Sequence, residues 1–160
     1  MDLNLYRFRS QWRFDAAPAA VFGILANLET YPSWWPEIRS VEMITPDSTR
    51  ITARSFLPYD LAFVTRQSRH DVDSLVLEAT MAGDLEGFSR WTLRADGVST
   101  TAVFEEEVIT RKPMLRRLVL AARPAFRANH THMMRHGEQG LRTYVAGHLW
   151  KAPERDAVSI

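Results

Sequence analysis

A chain of 160 residues suits one domain with a sizeable core, and 46% hydrophobic against 24% charged residues is the balance of an ordinary globular protein. A net charge of +1 makes no global electrostatic case for nucleic acid, and the absence of cysteine excludes a disulfide framework, a thiolate nucleophile and a cysteine metal site. The opening Met-Asp-Leu-Asn-Leu-Tyr-Arg has no apolar signal region and no apolar run approaches a membrane span, so a cytoplasmic protein is expected.

From Leu5 to Asp15 the chain alternates, with Tyr6, Phe8, Trp12 and Phe14 on one face and Arg7, Arg9, Gln11 and Arg13 on the other. That is the pattern of a half-buried strand. Pro18 fits the first position of a helix, which Val21, Phe22, Leu25 and Leu28 supply with an apolar face. Tyr31-Pro-Ser-Trp-Trp-Pro36 then allows one short helical turn, ended by Pro36 because the residue before proline avoids the helical region.

Between Ile38 and Thr110 the pattern is almost entirely strand, over 38–45, 50–57, 60–70, 75–82, 85–95 and 98–110. Short turns separate the pieces, and Asp96-Gly97 is a strong hairpin signal. Consecutive strands on short turns imply an antiparallel meander. A long helical stretch follows from Pro113 to Gly147, with Pro124 expected to kink it or divide it near Arg123. Residues 1–150 read as one ligand-binding domain and residues 151–160 as a loose tail.

Stepping about 100° per residue from Phe126 places Leu115, Val119, Met133 and Tyr144 on one side of that helix. The same side carries His130, Gly137 and Gly140, with Asn129 at its edge. An interior glycine costs roughly 1 kcal/mol relative to alanine, and a buried polar group needs a partner. Such a stripe suits a helix that lines a cavity better than one that seals a solid core.

The opening strand, Ala16-Ala-Pro-Ala-Ala-Val-Phe22, Tyr31-Pro-Ser-Trp-Trp-Pro-Glu37, Gly83-Asp-Leu-Glu-Gly87 running into Arg90-Trp-Thr-Leu93, Arg123-Pro, Asn129-His130 and Met134-Arg-His-Gly-Glu-Gln-Gly-Leu141 together cover nearly the whole chain. In these stretches it resembles the START/SRPBCC superfamily, the helix-grip fold shared with the birch-pollen allergen, and more narrowly the bacterial polyketide cyclase/dehydrase-type proteins. The resemblance implies an α+β fold, with a seven-stranded curved antiparallel sheet wrapped around the long C-terminal helix and two short helices after strand 1. It also implies a cavity for a hydrophobic or amphipathic small molecule, polyketide-, lipid- or quinone-like. No cofactor is expected.

Glu106 is the carboxylate with most chemical interest. Ala102, Phe104, Glu106 and Val108 share one face of the last strand; if that face is the inner one, Glu106 points into the cavity as a candidate general acid or base. The opposite face is similarly apolar, so an outward Glu106 is the competing reading. Asn129 and His130 are candidate polar anchors for a ligand carbonyl or hydroxyl; the alternative is that they bond the backbone or the sheet and fix the helix. His130 with Glu106 forms the candidate catalytic pair, provided the two lie within hydrogen-bond or one-water reach.

Trp34 and Trp35 are candidate ligand contacts at a pocket rim, one expected buried and one near the opening. Phe56, Phe63, Trp91, Phe104 and Met133 are candidate apolar walls. His130 and His132 lie about 200° apart around the helix and cannot share an ion. His132 and His136 are neighbours without a third ligand in the sequence pattern, so no metal site is expected.

The basic stretch Arg111, Lys112, Arg116, Arg117, Arg123 and Arg127 is a solvated face balanced by Glu105 to Glu107, or a docking surface for an anionic partner such as an acyl carrier protein or a lipid surface. A homodimer is left open. The leading functional expectation is binding of a hydrophobic small molecule, without catalysis. The alternative is a polyketide cyclase, aromatase or dehydratase using general acid/base groups in the cavity, and a third is a lipid or quinone chaperone.

Overall fold

The computed structural model describes residues 2–150, with the side chains of the last two left aside; the tail at 151–160, expected to be loose, lies outside the described residues. Strand β1 (Leu5–Phe14) leads into helix α1 (Pro18–Ala26), a 3-10 turn (Leu28–Thr30) and helix α2 (Tyr31–Trp34). Six strands follow: β2 (Ile38–Thr45), β3 (Ser48–Ala53), β4 (Leu61–Asp71), β5 (Val76–Gly83), β6 (Leu85–Asp96) and β7 (Ser99–Thr110). The chain then enters helix α3 (Pro113–Arg117) and the long helix α4 (Val119–Trp150).

All strands join one antiparallel sheet in the order β1-β7-β6-β5-β4-β3-β2. The meander β2 to β7 is sequential, and β1 closes on β7, so α1 and α2 carry the chain from one sheet edge to the other. This is the helix-grip arrangement: a curved sheet around the C-terminal helix, with the short helices after strand 1.

Alternation decides which face is covered. Tyr6, Trp12 and Phe14 of β1, Trp91 and Leu93 of β6 and Ala102, Phe104, Glu106 and Val108 of β7 are all buried on the concave face. Opposite them, Arg7 pairs with Glu107, and Arg9 and Arg90 both reach Glu105 on the outer face. The acidic run of β7 is thus balanced by β1 and β6 and not by the basic stretch near α3, as the sequence reading had it. There, Arg111 bonds Glu86, Lys112 reaches Asp84, and Arg123 donates to the carbonyls of Leu3 and Leu5.

Three features differ from expectation. Strand β3 ends at Ala53, because residues 54–60 leave the ladder before Pro58. The final helix is divided at Leu118, and Pro124 lies inside α4. In the second turn of α4 the proline forfeits only the bond to the carbonyl four residues back, and α4 continues through it.

The third concerns the glycines. Gly137 and Gly140 do not open a cavity. A Cβ at Gly137 would meet the rings of Trp35 and Trp12, and one at Gly140 would collide with the carbonyl oxygen of Trp34. The second half of α4 is therefore sealed against α2 by close approach, with Leu141 and Val145 buried beside it. Only the first half, around Phe126 to Met134, faces open space.

Candidate functional site

Where α4 stands off the sheet, a cavity of about 250 Å³ remains, near the lower end of the ~300–1,000 Å³ usual for small-molecule pockets. Its walls are apolar: Ile51, Leu61, Phe63, Leu77, Met81, Leu85, Trp91 and Phe104 from the sheet. Phe126, Met133 and Met134 of α4 form the opposite wall. Exposed lining residues, among them Asn27, Glu29, Met43, Asp47 and Arg69, place the mouth between the end of α1 and the β2–β3 hairpin.

Glu106 projects into this space. In the ladder it lies opposite Phe8 of β1 and Ser89 of β6, so the alternation that buries Phe104 and Val108 turns Glu106 inward too. From α4, the Nε2–H of His130 donates to Glu106 Oε2 at 3.2 Å. The pair is shielded, with side-chain exposures of 12% and 9%. Phe8 stacks on the imidazole at 3.7 Å between centroids and 8° between planes, which fixes the ring. Two groups able to exchange a proton thus sit on the cavity wall, each oriented by a partner.

Asn129 also lines the cavity, but its Oδ1 accepts the N–H of Leu57 at 3.2 Å. That bond ties α4 to the loop between β3 and β4. Tyr31 donates from its hydroxyl to the carbonyl of Leu25 at 2.6 Å, and burial pushes its phenol pKa well above the usual value. It is a neutral wall group at physiological pH.

Of the apolar walls expected from sequence, Phe63, Trp91, Phe104 and Met133 line the cavity and Phe56 does not. Phe56 sits in the loop after β3, 55% exposed, and meets the edge of His132 at 5.4 Å. Its alternation with the strand ends where the ladder ends. The two tryptophans also depart from expectation, since both are 4% exposed. Trp35 lines the cavity and donates its Nε1–H to the carbonyl of Met133 at 2.9 Å; Trp34 packs away from the cavity and donates to the hydroxyl of Thr30. The paired prolines around them fold the segment back onto α4 and leave neither ring at the rim.

Sequence reasoning missed Tyr31, Ser89 and the threonines Thr49 and Thr65 as lining residues, and it missed Glu37. Glu37 follows Pro36 in no periodic segment, yet it is 5% exposed, and its Oε1 accepts from Nδ1–H of His136 at 2.5 Å. It also comes near His132, so one donor atom from each of Glu37, His132 and His136 lies within 4.8 Å of the others. The third donor that the histidine spacing lacked is therefore supplied from the α2–β2 junction.

Comparison with known proteins agrees with the architecture. Residues 7–134 match the family model described as polyketide cyclase / dehydrase and lipid transport. No curated protein matches the chain significantly in sequence. Among solved structures, TTHA0849 from Thermus thermophilus superposes with a TM-score of 0.78 at 17% identity, covering 89% of this chain and 99% of that one. The Zhui aromatase/cyclase from Streptomyces sp. R1128 gives 0.74 at 13% identity over 98% and 99% of the two chains. A START superfamily protein from Mycobacterium smegmatis gives 0.68 at 15% identity over 88% and 97%. At these identities the structural likeness speaks to fold alone. No helix among the described residues is long and apolar enough to cross a membrane. The sheet wrapped on α4, the cavity between them and the match over most of the chain lead to one assignment: the protein belongs to the polyketide cyclase / dehydrase and lipid transport family.

Proposed function

We propose that the protein binds a hydrophobic or amphipathic small molecule of the polyketide, lipid or quinone kind between the sheet and α4. The supporting observation is the cavity itself: apolar and aromatic on nearly every side, with the Glu106–His130 pair and Asn129 as its inner polar anchors. Apolar walls supply affinity through burial, and a few placed polar groups fix orientation. A ligand with one carbonyl or hydroxyl on a planar or extended apolar body fits that division of labour.

The same pair supports a second reading, a cyclase, aromatase or dehydratase acting by general acid/base catalysis. A carboxylate and an imidazole in hydrogen-bond contact can take a proton from an acidic carbon and return it to a carbonyl or hydroxyl oxygen. The aromatase/cyclase among the structural neighbours makes polyketides the first substrates to try.

An anilinonaphthalene sulfonate fluorophore that brightens in the cavity provides the test. Wild-type protein is expected to take it up and release it to a long-chain fatty acid, a naphthoquinone or an aromatic polyketide. Ser89→Phe, which fills the cavity from β6, is expected to abolish uptake while preserving the fold by circular dichroism. Equal uptake by both proteins would remove the binding reading. For catalysis, Glu106→Gln and His130→Ala are expected to stop turnover of the polyketide while the polyketide still displaces the fluorophore from both variants; retained turnover would exclude the pair.

A further inference from the structure

We propose that Glu37, His132 and His136 form a site for a divalent transition-metal ion of the zinc class, clipping the α2–β2 junction to α4. None of the three lines the cavity, so the site is separate from the ligand pocket.

The geometry brings a mixed nitrogen and oxygen donor set together from two directions. His132 and His136 are one turn apart on α4, with ring centroids 4.1 Å from each other, a spacing that lets two imidazoles meet one ion. Glu37 approaches from the other side, and one donor from each residue falls within 4.8 Å of the rest. Small side-chain rotations separate that spacing from the ~2.0–2.2 Å metal–ligand bonds of a tetrahedral centre.

The existing hydrogen bond explains only part of this arrangement. Glu37 Oε1 is satisfied by His136, but Glu37 Oε2 is buried without a protein partner. Buried carboxylate oxygens are ordinarily bonded, and an unsatisfied one is costly. No arginine or lysine pairs with Glu37 among the described residues; its sole ion-pair partner is His136. His132, next to it, makes no side-chain hydrogen bond among the described residues; its ring meets Phe56 edge-on and lies tilted against His136. A cation seated among the three would satisfy the orphan oxygen and use both imidazoles.

The scaffold beneath is held in place. Gly140 lets the backbone of Trp34 press against α4, Gly137 receives the Trp35 ring, and the Trp35 indole is bonded to Met133. The position of Glu37 relative to the two histidines is therefore set before any ion arrives, which lowers the cost of ordering ligands on binding. The outer side is open: His132 is exposed and the His136 side chain is 42% exposed. An ion has a route in, and water completes its coordination. Two nitrogens and one carboxylate oxygen suit zinc, cobalt or nickel better than calcium or magnesium, which prefer all-oxygen shells.

The test uses untagged full-length protein stripped with a chelator. Zinc titrated calorimetrically is expected to bind one ion per chain, and cobalt is expected to give the visible absorption of a low-coordinate centre. His132→Ala, an exposed change that leaves the apo melting temperature in place, is expected to lose more than the about 10- to 100-fold that removing a mere outer partner costs. Glu37→Gln is expected to do the same, while His148→Ala, remote on α4, binds as wild type. No saturable binding of zinc, or unchanged affinity in both His132→Ala and Glu37→Gln, would overturn the proposal. Fluorophore uptake by the cavity is measured on the same samples, so failure of the metal site is distinguishable from failure of the ligand site.

Discussion

His130 and Glu106 are each surrounded by apolar groups and each satisfied by the other. Removing one therefore strands its partner. His130→Ala leaves the Glu106 carboxylate buried without its donor, at a cost of about 1–3 kcal/mol, read from urea unfolding. Adding Glu106→Leu to that variant is expected to recover part of the loss, because an apolar pair needs no partner. A double variant no more stable than the single one would place the loss in the Phe8 stack instead. The inward direction of Glu106 was only half legible in the sequence: Trp91 and Leu93 identify the inner face of β6, but both faces of β7 are similarly apolar, and the register that pairs Trp91 with Phe104 and Ser89 with Glu106 selects between them. The contact with His130 was not legible, because it depends on how far along the sheet α4 sits, which no periodicity encodes. Glu37 was less legible still. It lies in no repeating pattern, and its partner is 99 residues away.

At the scale of the element, α4 is two helices in function. Its first half faces the cavity through Asn129, His130 and Met133, and its second half is locked on α2 through Gly137 and Gly140. Helical periodicity located the inward side along the whole length but said nothing of depth: glycine, histidine and methionine on one stripe are equally compatible with empty space and with a close neighbour. Substitution separates the two cases. Gly140→Ala gains up to about 1 kcal/mol of helix propensity, but its Cβ meets the Trp34 carbonyl oxygen, and overpacking costs about 1–3 kcal/mol. Net destabilisation is expected. Gly23→Ala in α1 finds nothing within 4 Å, so only the propensity gain applies and stability is expected to rise by about 0.5–1 kcal/mol. Opposite shifts of the two urea midpoints would establish close approach at Gly140; a gain at both would refute it.

For the whole molecule, the succession of strands and turns carries the sheet order, because short connections force sequential strands to be neighbours. The cavity follows from something less local: a sheet curved by its own twist cannot be filled by one straight helix. Every strand except β1 contributes lining residues, as do α1, α2 and α4. A ligand in that space is therefore in contact with most of the fold at once. At a free concentration 100 times its Kd it adds about 2.7 kcal/mol to the stability of the folded state. For a chain of 160 residues that is a rise in Tm of roughly 5–10 °C. Because β1 is the one strand outside the lining, its amides are expected to gain the least hydrogen-exchange protection, and those of β4 to β6 and the first half of α4 the most. A ligand held at the surface would protect one loop or one helix and leave the others unchanged. Exchange measured with and without ligand, at matched saturation, distinguishes the two, and protection confined to a single element would place the ligand outside the sheet–helix cavity.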